Sequence, residues 1–495
     1  MKINFFVKAK FLSLILLVFF TNKNLYAQLI PDQKFKKLKT VYLVDGYANF
    51  NAVNASQNNF YNKNLLSDNI TENRIDRYSL NNDTQIYFKS GYQFNNDIKI
   101  GVVIKSEFNY STNKIKESPN IDQAFIYSQS DFGRLELGNY QAVNQKMKFG
   151  PSRIARGSGG INGKYLQYVN LPMLASSANS SSPLCNQFGS GSCLNLKMPR
   201  FITLAQSPIG HGGYAKGFYQ RGVNNNFDST NSAYSAYNRS NFRSFKDDSY
   251  EGIEDALKLN YYSPKINGFQ YGLSYAYDSD YNGLSANTAY DVDDIHLKNI
   301  LAIGLNYAED FDNFSLAISS TAEKAQIENS ASKLGVERND LLAYDLGIMV
   351  SYFGFKIAGS YGNWLKSLQA KNGVYSCQYN QNLELSSQDC SISVKKFKNP
   401  SYYTLGLSYQ FGPFFASLTN LKSNFQKNYY NATSLGIDFK YSKNLIPYLE
   451  ITNFNFKVNQ PIASNLINQT SLDNQAWQFK NNGGNIFLIG FLYSF

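Results

Sequence analysis

Apolar and polar residues alternate along most of this chain, most sharply at its end. There Phe487, Ile489, Phe491, Tyr493 and Phe495 occupy every second position. They share one face of an extended chain, because strand side chains repeat with a period of two. Such a strand suits the lipid face of a closed barrel, in which every backbone group is paired, and also a buried layer of a soluble sandwich.

The two-faced pattern recurs upstream. Ile86, Phe88, Tyr92 and Phe94 lead through Asn95, Asn96 and Asp97 into Ile98, Ile100, Val102 and Ile104. The opposite face carries Lys89, Gln93, Lys99, Lys105 and Glu107, which a water-filled lumen accommodates and lipid does not. Similar hairpins turn at Ser263 to Gly268, at Phe353-Gly354 and at Gly412-Pro413. Short turns fall near residues 95, 131, 210, 266, 310, 354, 412 and 444, which makes eighteen strands by count. Sixteen is the alternative, since the hairpin Phe201 to Tyr219 is the least regular. Long polar connections, as at 51–82, 221–255, 366–401 and 457–484, read as extracellular loops. The fold class expected is all-β, a transmembrane antiparallel β-barrel whose last strand bonds to the first near Val41.

The other end supports export. Lys2, Lys8 and Lys10 precede an apolar run from Phe11 to Phe20, followed by Leu25, Tyr26 and Ala27. This reads as a signal peptide over residues 1–27, too short to span a membrane as a helix. A lead-in follows at 28–39, then a single barrel domain at 40–495. No later segment has the roughly 18 consecutive apolar residues of a transmembrane helix, which excludes a helical inner-membrane protein. Composition fits a barrel: 38 Tyr and 37 Phe accompany 43% hydrophobic residues and a mean hydropathy of only -0.37. The net charge of +11 falls when the four lysines of the first 27 residues are removed. Nucleic acid is not an expected partner of such an exported chain.

Several segments then resemble one family. Val41 to Tyr47 resembles the opening strand of the Gram-negative porins, and Phe125 to Tyr127 followed by Asp131 to Gly138 resembles the strand pair before their constriction loop. Tyr262 to Phe269 and Gln206 to Gly210 resemble the family's Ser-Pro turns, and Phe495 its terminal assembly signal. The resemblance is patchy along the mature chain. It implies an outer-membrane diffusion porin, a homotrimer without cofactor, in contact with lipid and lipopolysaccharide and with the outer-membrane assembly machinery. It also implies that Tyr140 to Pro199 form a long constriction loop folded into the lumen.

That segment has a composition of its own. From Asn139 to Arg200 it contains no Asp or Glu, although the chain holds 36 of them in 495 residues; roughly four would be expected by chance. Many family members set loop acids against wall arginines, and this chain departs from that arrangement. A narrow passage lined by one sign of charge favours the opposite ion. The pattern therefore predicts an anion-preferring pore lined by Lys146, Lys148, Arg153, Arg156 and Lys164 on the loop and by Lys89, Lys105 and Arg134 on the wall. The competing reading makes each a solvated cation or a phosphate contact at the rim. The apolar knot Tyr165, Leu166, Tyr168, Val169, Leu171, Met173 and Leu174 calls for burial against the wall.

Cys185 and Cys193 lie in the same segment, and Cys377 and Cys390 in a later one. In an oxidising compartment two local disulfides, 185 with 193 and 377 with 390, are favoured among the three possible pairings. A metal site is not expected, since the spacings are long and only His211 and His296 are present. No nucleophile and base stand together, so catalysis is not expected. The function predicted is a passive channel for small hydrophilic solutes and ions. The alternatives are a substrate-specific channel, which needs an aromatic track in the lumen, and a surface-interaction barrel with a closed pore.

Overall fold

The protein is described by a computed structural model at residues 40–58, 77–94, 98–111, 120–155, 157, 159–162, 164–169, 174–175, 201–208, 256–278, 296–328, 339–367, 374–377, 390–393, 398–425, 428–458, 478–479 and 481–495. The expected signal peptide and lead-in lie outside the described residues. Sixteen antiparallel strands close into one barrel. They are β1 (Thr40–Gln57), β2 (Tyr78–Phe94), β3 (Ile98–Ser111), β4 (Asn120–Ser130), β5 (Gly133–Asn139), β6 (Leu257–Tyr262), β7 (Phe269–Asp278) and β8 (His296–Phe311). The circuit continues through β9 (Phe314–Glu328), β10 (Leu341–Tyr352), β11 (Phe355–Asn363), β12 (Ser401–Phe411), β13 (Phe414–Phe425), β14 (Asn428–Phe439), β15 (Leu445–Lys457) and β16 (Asn482–Ser494). Every strand pairs with its neighbours in sequence, and β16 pairs with β1. Among the described residues, no helix is long and apolar enough to cross a membrane.

The alternation read from the chain is the alternation of the wall. Phe487, Ile489, Phe491, Tyr493 and Phe495 point outward, Ile489 at 60% exposure, whereas Ile486 and Leu488 on the opposite face are 0% exposed. Ile98, Ile100, Val102 and Ile104 likewise face out, while Lys105 and Glu107 are buried inside. At the short-turn end the outward aromatics touch in series. Phe355 stacks on Tyr409 at 4.1 Å and Phe411 on Phe414 at 5.4 Å, the interface girdle typical of membrane barrels.

Two expectations are corrected. The count of eighteen becomes sixteen, because the barrel closes without the supposed hairpin at Phe201 to Tyr219: its described part, residues 201–208, is irregular and carries buried Phe201, Ile202 and Ala205. The rest of that hairpin, including the turn near 210, lies outside the described residues. Closure also falls further along than Val41. The Phe495 amide donates to the Gly46 carbonyl at 3.1 Å, and Gly46 returns the bond at 3.2 Å, since β1 begins before its partner ends.

The turn chemistry is as sharp as the strands. Between β10 and β11, Phe353 and Gly354 both have positive φ, 45° and 84°, as a two-residue hairpin of the right twist requires. Phenylalanine is uncommon there. Its ring is exposed and packs edge-on against Tyr352 at 4.5 Å, so the site uses the aromatic as an outward anchor.

Candidate functional site

The connection from β5 to β6 runs over residues 140–256, longer than the 140–199 read from the sequence; its described residues within 140–169 and 201–208 lie against the inner wall, and Leu174–Ala175 pair with Gln478–Phe479 of the β15–β16 connection. It leaves β5 at Gly138, whose φ of +148° and 2.3 Å approach of a notional Cβ to the Ala124 carbonyl leave room for glycine only. A four-residue helix, α1 (Val143–Lys146), follows without a side-chain cap. The wall supplies the missing acceptor: the Val143 amide donates to Ser274 Oγ of β7 at 2.8 Å.

Beyond α1 the backbone lies directly on the inner wall. Gly272 of β7 and Gly304 of β8 are cross-strand partners, and a Cβ on either would come within 2.5 or 2.8 Å of Met147 Sδ. On β10, a Cβ at Gly347 would sit 1.9 Å from the Phe149 carbonyl oxygen; on β12, one at Gly406 would sit 2.8 Å from Pro151. The Phe149 amide donates to Ser319 Oγ of β9 at 2.8 Å. Small inward residues on successive strands thus form a shelf that seats the loop.

Farther on, the loop joins an apolar core inside the barrel. Ile161, Tyr165, Leu166, Tyr168 and Val169 pack with Leu421, Phe425, Tyr430, Phe454, Phe456, Ile486 and Leu488 of the wall. Phe201 and Ile202 return to the same core, and Ser423 Oγ donates to the Ile202 carbonyl at 2.6 Å. Each such side chain contributes about 1.5–3 kcal/mol on full burial, so the loop is held by many contacts. The knot expected at Tyr165 to Val169 is buried as anticipated; the side chains of Leu171, Met173 and Leu174 lie outside the described residues.

The stretch from Asn139 to Arg200 lacks acids, and the described carboxylates that meet it stand on the wall. Lys148 Nζ lies 2.7 Å from Asp345 Oδ2 of β10. It also donates to Tyr402 Oη and the Ala205 carbonyl, while Tyr402 donates to Asp345. Glu323 of β9 accepts from Asn144 Nδ2 at 2.5 Å and Ser207 Oγ at 2.6 Å. Glu450 of β15 accepts the Gly160 amide at 3.0 Å. Burial pushes the Lys148 ammonium below its usual range, with Asp345 pulling it back.

The predicted lining residues separate into groups. Lys89 pairs with Asp45, Lys105 with Glu107 and Arg134 with Glu136, each at 2.7 Å. Lys146 stands 3.3 Å from the Tyr140 ring centroid and 3.6 Å from Glu136 Oε2. Burial pushes its pKa down to about 7, against the pull of Glu136. Arg153 differs from these. It is exposed, donates to the Lys146 carbonyl, lies over the Phe149 ring at 4.7 Å and has no carboxylate partner among the described residues. Arg156, Cys185 and Cys193 fall outside the described residues, as does the side chain of Lys164.

Sequence reading missed Asp345, Glu323 and Tyr402. A signal existed: Asp345 is an acid on the strand face opposite Leu346 and Ile348, hence inward. It also missed an inward aromatic cluster in which Phe125 stacks on Tyr140 at 4.1 Å and Arg134 lies 4.0 Å over Tyr127.

A closed antiparallel barrel with an outward apolar band, a paired polar interior and a loop folded onto its inner wall defines the class of outer-membrane channel barrels. A model of the Gram-negative porin family matches residues 209–459, half of the chain; the protein belongs to that family. It is 25% identical over 442 residues to an uncharacterized protein of Rickettsia typhi, covering 79% of this chain and 82% of that one. Among solved structures it is similar to an anion-selective porin from Comamonas acidovorans (TM-score 0.44, 11% identity, covering 92% of this chain and 100% of that one). It is also similar to a Salmonella typhi OmpF complex with daunomycin (TM-score 0.46, 11% identity, covering 92% and 97%).

Proposed function

We propose that this outer-membrane porin is a passive, water-filled channel for small hydrophilic solutes and ions, narrowed by the 140–256 loop and biased toward anions at Arg153. The observation that carries the reading is the contrast among lumen cations. Lys89, Lys105, Arg134 and Lys148 each face a carboxylate at 2.7 Å, whereas Arg153 is exposed and has none among the described residues. A guanidinium in a narrow passage attracts anions without holding them. Assembly as a homotrimer, contact with lipopolysaccharide, and reading of Phe495 by the assembly machinery accompany this proposal.

The reversal potential of the purified protein in a planar bilayer under a salt gradient tests the bias, with cation preference as the refuting result. A second reading, a substrate-specific channel, draws on the inward aromatics Tyr87, Phe125, Tyr127 and Tyr140 beside Lys89, Arg134 and Lys146. Liposome swelling with sugars of graded size separates the readings. Graded uptake supports the general pore, one favoured solute the specific channel, and no uptake a closed barrel.

A further inference from the structure

The segment between β11 and β12 carries a two-stranded antiparallel sheet separate from the barrel, Val374–Cys377 against Cys390–Ser393. Its register pairs Val374 with Ser393, Tyr375 with Ile392, Ser376 with Ser391 and Cys377 with Cys390. The cysteines are therefore the last pair of the ladder before the connecting residues 378–389. Directly opposed residues of an antiparallel pair have Cα atoms about 4.5–5.5 Å apart, within the roughly 4.4–6.8 Å that a disulfide spans. Opposed positions also share one face of the ladder.

The ladder needs such a tie. A two-stranded hairpin by itself is at best marginal in water, and this one pairs with no barrel strand. None of the sixteen barrel strands contains a cysteine, so a bridge here acts on the loop alone. Of the three ways to pair four cysteines, the register selects the one that leaves Cys185 and Cys193 to each other.

We propose that Cys377 and Cys390 are joined by a disulfide that ties the open end of this ladder. Two S–H bonds break and one S–S bond forms. Two electrons and two protons pass to the disulfide of a thiol–disulfide oxidoreductase in the oxidising envelope, whose S–S bond breaks to give a dithiol. The inference is independent of what the channel conducts.

The test is a peptide map of protein extracted without reductant and alkylated. A linked peptide containing Cys377 and Cys390 that separates on reduction is expected. Alkylation of Cys377 before reduction, or its linkage to Cys185 or Cys193, overturns the proposal. In Cys377→Ser, Cys390 becomes the one newly alkylated cysteine; a Cys390 still blocked, or a newly free Cys185 or Cys193, overturns it equally. The variant leaves the barrel strands untouched, so heat-modifiable electrophoretic mobility confirms folding in the same sample.

Discussion

The Lys148 ammonium sits 2.7 Å from the Asp345 carboxylate, joining the interior loop to the tenth strand of the wall through a pair that is almost completely buried. Removing one partner of such a pair strands the other charge and costs about 3–5 kcal/mol, whereas replacing both with apolar groups is often close to neutral. Lys148→Met is therefore expected to loosen the loop and raise single-channel current noise. Lys148→Met with Asp345→Leu is expected to restore quiet openings. Equal noise in the single and double variants would show that the pair does not hold the loop.

Gly347 offers a steric test of the same docking. A Cβ there meets the Phe149 carbonyl at 1.9 Å, so Gly347→Val must push the loop backbone off the wall. Overpacking of this kind costs about 1–3 kcal/mol, and an altered single-channel conductance is expected. Gly412→Ala is the control. Its Cβ meets nothing within 4 Å, but φ is +58°. It should cost about 1 kcal/mol of stability through backbone strain with conductance unchanged.

Arg153 carries the proposed selectivity. Arg153→Glu is expected to shift the zero-current potential under a salt gradient toward cation preference, and Arg153→Ala to bring it near neutrality. Lys89→Ala, which removes one member of a partly exposed pair with Asp45, should move the potential toward cations by much less. A reversal potential indifferent to residue 153 would place the selective charge elsewhere.

How far the chain could be read without its structure divides along a physical line. Outward positions such as Phe487 and Ile489 were legible because lipid imposes an apolar residue at every second place on each strand. The strand count failed at Phe201 and Ile202, which are apolar because they are buried in the core inside the barrel. Periodicity registers burial and not what does the burying. The loop's basic character was legible too, but not its counter-charges. Asp345, Glu323 and Glu450 lie far along the chain and meet the loop only through closure of the barrel.

Lys146 makes the docking of α1 depend on pH. Its neighbours from every side are Glu136 and Arg134 on β5, the Tyr140 ring in the loop, Phe125 on β4 and Tyr262 on β6; Lys105 on β3 and Lys258 on β6 stand at Glu107 and the Tyr140 carbonyl. Burial lowers the lysine's pKa to about 7 in the docked loop, against about 10.4 for a free lysine. Between those values the undocked loop binds a proton that the docked loop does not, so docking strengthens as pH rises, by up to about tenfold per unit. Below pH 7 both states are protonated, and docking stays at its weakest. Conductance fluctuations should accordingly be largest at pH 6 and subside by pH 9. Lys146→Met, which keeps the apolar stem and abolishes the titration, should show the quiet behaviour at both pH values. A Lys146→Met channel that retained the pH dependence of the parent would assign it to another group.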